Sequence, residues 1–297
     1  MNDELPGSFD FADLPDGRCH FRLSGPEDGP NVLLLHGATV PGWEFDRILP
    51  YLNGAGFRTI CPDLFGHGYS DRPRKPLDHA LLMRQVSDLL DTLEAQHPVH
   101  IFGHSLGAAV AARLAKQQPE RVSRLVMAAP LLDFMSLQPA TRILQVPLVG
   151  ELLMPLYVVP MLVRRRTARY RTIENGRFVR MFKDQLRLPG FGRALLSMMR
   201  SGALGNQRDC YEALQSQPHA VLVLRGTDDL IFIAEQMREL KALLPRAEYC
   251  EMRDMSHPLM LTHPEEIGPV VADFLNADER LSCRRESGVL AGDGRSP

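Results

Sequence analysis

Residues 99–117 read VHIFGHSLGAAVAARLAKQ, and this stretch decides the fold. It opens on an apolar run suited to a central strand and passes into an alanine-rich, helix-prone segment over 106–117, which Pro119 ends. Between the two lies GHSLG at 103–107. A serine flanked in this way at a strand-to-helix junction predicts a sharp turn that strains the serine backbone. Gly103 and Gly107 suit that turn, because a Cβ at either position would meet the adjoining strand or helix. Ser105 is then presented at a helix N-terminus, with the Leu106 backbone N–H aimed where an oxyanion would form.

Outward from this junction the same alternation recurs. Apolar runs at 31–37 (NVLLLHG), 57–62 (FRTICP), 122–129 (VSRLVMAA), 220–226 (AVLVLRG) and, more weakly, 247–252 (AEYCEM) read as further strands. Runs apolar on both faces belong in the middle of a parallel sheet. Amphipathic spacing predicts helices over 77–96, where Leu81, Leu82, Val86, Leu89, Leu90 and Leu93 share a face, and over 232–244 and 264–276. Strand–helix alternation implies right-handed βαβ units, an α/β fold with a mostly parallel central sheet flanked by helices. The pattern breaks between residues 131 and 215, a helical or irregular stretch rich in Leu, Met and Arg, and resumes at 220. The expected organisation is a core of residues 1–130 and 216–278, a helical cap at 131–215 inserted in it, and a disordered tail at 279–297.

At 297 residues, 44% hydrophobic and 24% charged, the chain is an ordinary globular protein, and wholesale disorder is excluded. A net charge of −2 removes the usual argument for nucleic-acid binding. Five scattered cysteines without a CxxC pair speak against a zinc ribbon or a disulfide framework and favour a reducing, cytoplasmic setting. The acidic MNDELPGSFDF start shows no secretory pattern. No HExxH, dinucleotide-binding or phosphate-loop motif is present, so neither a metal nor a cofactor is expected. Residues 143–163 (ILQVPLVGELLMPLYVVPMLV) are long enough to span a bilayer. Pro147, Pro155, Pro160 and the mid-segment Glu151 favour a buried or interfacial segment instead.

With these residues in view, residues 17–278 resemble the α/β-hydrolase superfamily. LLLHGAT at 33–39 is similar to its HG motif, which implies a second oxyanion donor at the Ala38 N–H. DLFGHGYSDRP at 63–73 matches its D-x-x-G-x-G-x-S loop, where Asp63 and the glycines are expected to shape the chain. The family order of serine, acid, histidine points to an acid beyond a late strand. VLVLRGTDDL at 221–230 selects Asp229 by the strand–G-x-x-D pattern. Asp228 is its immediate rival, better suited to a loop or cap, and Asp133 occupies an alternative acid position of the superfamily. MRDMSHPLMLTHPEEI at 252–267 resembles G-H-x(6)-P-E, with Ser256 replacing the usual glycine, and selects His257 as the base. His263 reads as the entry to the following helix.

The resemblance implies a Ser105–His257–Asp229 serine hydrolase working through an acyl-enzyme, with carboxylic esters as substrates. Thioester or carrier-bound acyl substrates, carbon–carbon bonds, perhydrolysis, and a non-catalytic scaffold remain alternatives. HGATVPG at 36–42 departs from the HGGGPG of many carbon–carbon hydrolases, and a serine at the turn departs from the aspartate of haloalkane dehalogenases and related epoxide hydrolases. Residues 131–210 hold 13 Arg or Lys against 5 Asp or Glu, a local +8 that leaves −10 on the rest. An aliphatic segment followed by Arg164, Arg165 and Arg166 suggests lipophilic, monoacylglycerol-like esters. It also suggests peripheral contact of the cap with an anionic membrane or an acyl carrier protein.

Overall fold

The computed structural model describes residues 8–277; the expected tail at 279–297 lies outside them. The six strands read from apolar runs are present as β3 (Asn31–Leu35), β4 (Arg58–Pro62), β5 (Val99–His104), β6 (Val122–Ala128), β7 (Ala220–Gly226) and β8 (Glu248–Met252). Ahead of them a hairpin of β1 (Ser8–Leu14) and β2 (Gly17–Ser24) adds two strands that the apolar runs do not reveal. The eight-stranded order is β1-β2-β4-β3-β5-β6-β7-β8. The hairpin and the β2–β4 pairing are antiparallel, and every pairing from β4 to β8 is parallel.

The centre of the sheet is dry. All five residues of β3 are buried, as are Ile101 and Phe102 on β5 and Leu125 and Val126 on β6 beyond it. Helices α1 (Leu49–Gly54), α2 (His79–Thr92), α3 (Leu106–Gln117), α10 (Ala234–Leu243), the short α11 (Leu259–Thr262) and α12 (Pro264–Asn276) accompany it. In α3 the buried small residues Ala108, Ala109, Ala111 and Ala112 let the helix axis approach the strands closely. That brings the N-terminus of α3, and the serine before it, against the carboxyl ends of β3 and β5, where open α/β sheets place their sites.

Between β6 and β7 the regular elements are helical: α4 (Phe134–Leu137), a 3₁₀ segment at 139–145, α5 (Val149–Leu153), a π turn at 154–158, α6 (Val159–Tyr170), a 3₁₀ turn at 173–176, α7 (Arg177–Arg187), α8 (Phe191–Arg200) and α9 (Arg208–Leu214). The prolines break the aliphatic stretch as their chemistry requires. Pro155 falls in the π turn and Pro160 in the first turn of α6. The 139–145 and 149–170 segments meet at 112°, and among the described residues no single helix is long and apolar enough to cross a membrane. Helix α9 leaves the other inserted helices and packs on α3, with Asp209 paired to Arg113 at 3.0 Å and the Tyr211 hydroxyl donating to the Leu131 carbonyl at 2.9 Å.

Candidate active site

Ser105 takes φ 51° and ψ −111°, a backbone that L-residues avoid. Neighbouring strands hold it there. Its N–H donates to the Ala128 carbonyl at 3.0 Å, and its own carbonyl accepts from Ala108 at 3.1 Å and Leu131 at 3.1 Å. The two flanking glycines are required by close approach. A Cβ on Gly107 would stand 1.9 Å from the Leu35 carbonyl oxygen, and one on Gly103 would stand 2.6 Å from the Ala108 backbone. Leu106 opens α3, so its N–H has no partner within the helix.

The histidine and the acid come from the ends of other elements. Asp229 lies in the turn after β7, fully buried at its side chain, where Oδ1 accepts from the Ile231 N–H (2.7 Å) and the Phe232 N–H (3.0 Å). Its Oδ2 is 2.8 Å from His257 Nδ1. Burial pushes the Asp229 carboxyl up, but His257 and the two N–H groups outweigh it and hold the pKa below the ordinary value. His257 is lowered as well, by burial against the pull of Asp229, so its ring is neutral near pH 7. The ring lies 4.8 Å, centroid to centroid, from that of His104, the residue before Ser105.

The rival acids lie elsewhere. Asp228 is exposed, and among the described residues its carboxylate meets only the Thr227 hydroxyl, at 3.4 Å. Asp133 caps α4, accepting from the Ser136 N–H (3.0 Å) and hydroxyl (2.8 Å), and faces Arg208. His263 precedes α12 as its cap residue.

The loop after β3 reaches Ser105 directly: a Cβ on Gly37 would be 3.5 Å from the Ser105 Cβ. Three side chains from three elements fix this loop. Glu44 Oε1 accepts from the Gly37 N–H at 2.8 Å and faces His104 Nδ1 at 3.0 Å. His67 Nε2 donates to the Ala38 carbonyl at 2.9 Å. Arg166, on α6, donates to the Thr39 hydroxyl at 2.7 Å. Behind them Asp63 accepts from the Gly42 N–H (2.9 Å) and the Tyr69 N–H (3.1 Å) and pairs with His20 (2.7 Å). Burial alone would raise its carboxyl; His20 and the other donors bring it down to about 2. Gly68 must be glycine here, since a Cβ would meet Asp63 Oδ2 at 2.0 Å.

The reading of motifs does not reach Glu44 or Arg166, and gives His104, inside GHSLG, no contact of its own. For Glu44 there was a signal, an acid set inside the apolar PGWEF at 41–45. For Arg166 there was none beyond its place in a triplet.

Over this site a second apolar cluster joins the inserted helices to the core. Val40 and Leu261, which follow the Ala38 loop and His257, pack with Tyr170, Phe178 and Phe182. A separate cleft of about 870 Å³ lies among the inserted helices, lined by Met154, Val159, Phe191 and Arg193, and none of Ser105, Asp229 or His257 lines it.

Comparison with known proteins gives the family and the fold. Residues 32–269 match the model of the alpha/beta hydrolase family. The chain is 35% identical over 113 residues to a haloalkane dehalogenase of Mycolicibacterium paratuberculosis, covering 37% of each protein. It is 27% identical over 265 residues to a non-heme chloroperoxidase of Streptomyces lividans, covering 85% of this chain and 94% of that one. Its first curated relatives are matched over little more than a third of their length. The enol-lactonase of Burkholderia xenovorans superposes with a TM-score of 0.73 over 90% of this chain and 100% of that one, at 20% identity. By its motifs, its sheet and this match, the chain belongs to the alpha/beta hydrolase family.

Proposed function

We propose that the protein is a serine hydrolase that cleaves carboxylic esters with an apolar acyl or alcohol part. The reading is carried by one observation: a buried Asp229 holds His257 Nδ1 at 2.8 Å, with the ring lying against that of the residue that precedes the strained Ser105. In the proposed reaction His257 Nε2 takes the Ser105 hydroxyl proton as Oγ attacks the ester carbonyl. Asp229 stabilises the resulting imidazolium, and the Ala38 and Leu106 N–H groups hold the oxyanion. The imidazolium then protonates the departing alcohol, and water, deprotonated by the same ring, releases the acid. A serine, not a carboxylate, stands at the turn, which separates this chain from the chemistry in the dehalogenase's name. The apolar cluster of Val40, Tyr170, Phe178, Phe182 and Leu261 supports a lipophilic substrate and a capping role for the inserted helices. The test is a p-nitrophenyl ester series from acetate to laurate with the wild type and Ser105→Ala. A kcat/KM maximum at butyrate or longer, abolished in Ser105→Ala, is expected. A maximum at acetate contradicts the lipophilic reading, and activity on thioesters or carbon–carbon substrates alone moves the chain to those classes.

One further observation favours contact with a lipid surface. Ile143, Val146, Leu148, Leu152, Leu156 and Tyr157 are all exposed, Leu148 at 82%, and Arg142, Arg164 and Arg165 flank them in solvent. Clustered apolar side chains rimmed by cations match an anionic bilayer. Sedimentation with phosphatidylglycerol vesicles, absent with phosphatidylcholine and lost in Leu148→Ser/Leu156→Ser, is expected. Binding to an acyl carrier protein without vesicle binding would assign the surface to that partner instead.

A further inference from the structure

The three consecutive arginines at 164–166 do not share an environment. On a helix each successive side chain turns by about 100°, so no more than one can face the core squarely. Leu162, Arg166 and Tyr170 recur every four residues along one face of α6. Leu162 and Tyr170 belong to the apolar cluster that covers Val40, and Arg166, between them, reaches Thr39. Arg164, Arg165 and Arg169 are exposed.

Arg166 is thus a cation held over the Ala38 loop, partly buried and beside the Tyr170 ring, 5.8 Å from its centroid. Its one protein hydrogen bond among the described residues goes to a neutral hydroxyl. Among the described residues no carboxylate lies within 4 Å of it, in contrast to Arg22, Arg177, Arg200, Arg208 and Arg225, each of which has an acidic partner. Glu44, whose charge acts on Arg166 from farther off, has its bonded oxygen taken by Gly37 and His104. A guanidinium carries five N–H donors and is poorly placed in a part-buried site without an anion. Its charge is also felt at His257, where it opposes the protonated ring. The proposed mechanism forms that imidazolium, so an unscreened Arg166 works against the reaction, and an anion bound to it would remove the opposition.

We propose that Arg166 is the specificity residue for a carboxylate carried by the substrate near its reacting carbonyl, so that the preferred ester or lactone is anionic as well as partly apolar. This rests on the serine-hydrolase reading above. A planar fork matches a carboxylate through two hydrogen bonds, a geometry that lysine cannot reproduce.

The experiment compares p-nitrophenyl hemiglutarate with p-nitrophenyl valerate, of equal acyl chain length, in the wild type, Arg166→Met and Arg166→Lys. The wild type should prefer the hemi-ester. Arg166→Met should lower the ratio of the two kcat/KM values by about 10- to 100-fold, the range of a charged hydrogen-bonded pair. Arg166→Lys should fall between them. Calorimetric binding of monomethyl glutarate to Ser105→Ala, lost in Ser105→Ala/Arg166→Met, reads the same subsite without turnover. A wild type that prefers the valerate, or a ratio unmoved by Arg166→Met, overturns the proposal and leaves Arg166 as a clamp on Thr39. If neither ester is hydrolysed but monomethyl glutarate binding depends on Arg166, the hydrolase reading fails while the anion site stands.

Discussion

Replacing Glu44 separates the shape of the Ala38 loop from its charge. A single oxygen of this buried carboxylate, Oε1, receives both the Gly37 N–H at 2.8 Å and His104 Nδ1 at 3.0 Å. Glutamine can keep an oxygen at that position and retain both contacts, losing only the charge. Leucine removes the acceptor and strands two buried donors. Each stranded donor costs about 1–3 kcal/mol, so Glu44→Leu should destabilise the protein by about 2–6 kcal/mol. Glu44→Gln, which weakens two charge-assisted bonds without breaking them, should cost about 1–2 kcal/mol. The Gly37 peptide leads directly into Ala38, so Glu44→Leu should also lose the proposed oxyanion donor there, worth about 10²- to 10³-fold in kcat. Urea unfolding followed by circular dichroism, with kcat on p-nitrophenyl butyrate, measures both effects. Two results would refute the reasoning: Glu44→Leu within about 1 kcal/mol of the wild type, or Glu44→Gln as damaging as leucine.

Three other outcomes follow from the same geometry. Asp229→Asn should lower kcat by about 10⁴-fold, since it upsets the tautomer of His257, whereas Asp228→Asn, in an exposed turn, should change it by less than about threefold. Because burial holds His257 below its ordinary pKa, the acid limb of kcat/KM, where the base gains a proton and activity falls, should have its midpoint below about 6.5. A midpoint at or above that value contradicts the assignment of the base. Gly107→Ala places a Cβ on the Leu35 carbonyl and should cost about 3 kcal/mol or more, seen as a lowered Tm or as insoluble protein.

The central strands were legible because burial on both faces leaves continuous apolar runs, as in NVLLL of β3. The β1–β2 hairpin was not, because Phe9 and Phe11 stay exposed and acidic residues interrupt SFDFADL. Ser105, Asp229 and His257 each sit in a motif whose spacing the chain geometry demands. The G-x-x-D spacing already favours Asp229 over Asp228 and Asp133, and in the fold it is the Asp229 carboxylate that meets His257 Nδ1. Arg166 reaches Thr39 across 127 residues of chain, and Glu44, seven residues from Gly37, also meets His104 sixty residues on; local pattern encodes neither long-range contact. The basic triplet is the clearest case: composition suggests a solvated or membrane-facing patch, and helix geometry turns one of its three members inward.

The most direct test of the central claim is the site of covalent capture by a fluorophosphonate. A single adduct is expected, located by mass spectrometry on Ser105, absent in Ser105→Ala and slowed in His257→Ala. No adduct on the folded wild-type protein, or one that persists in Ser105→Ala, would contradict it.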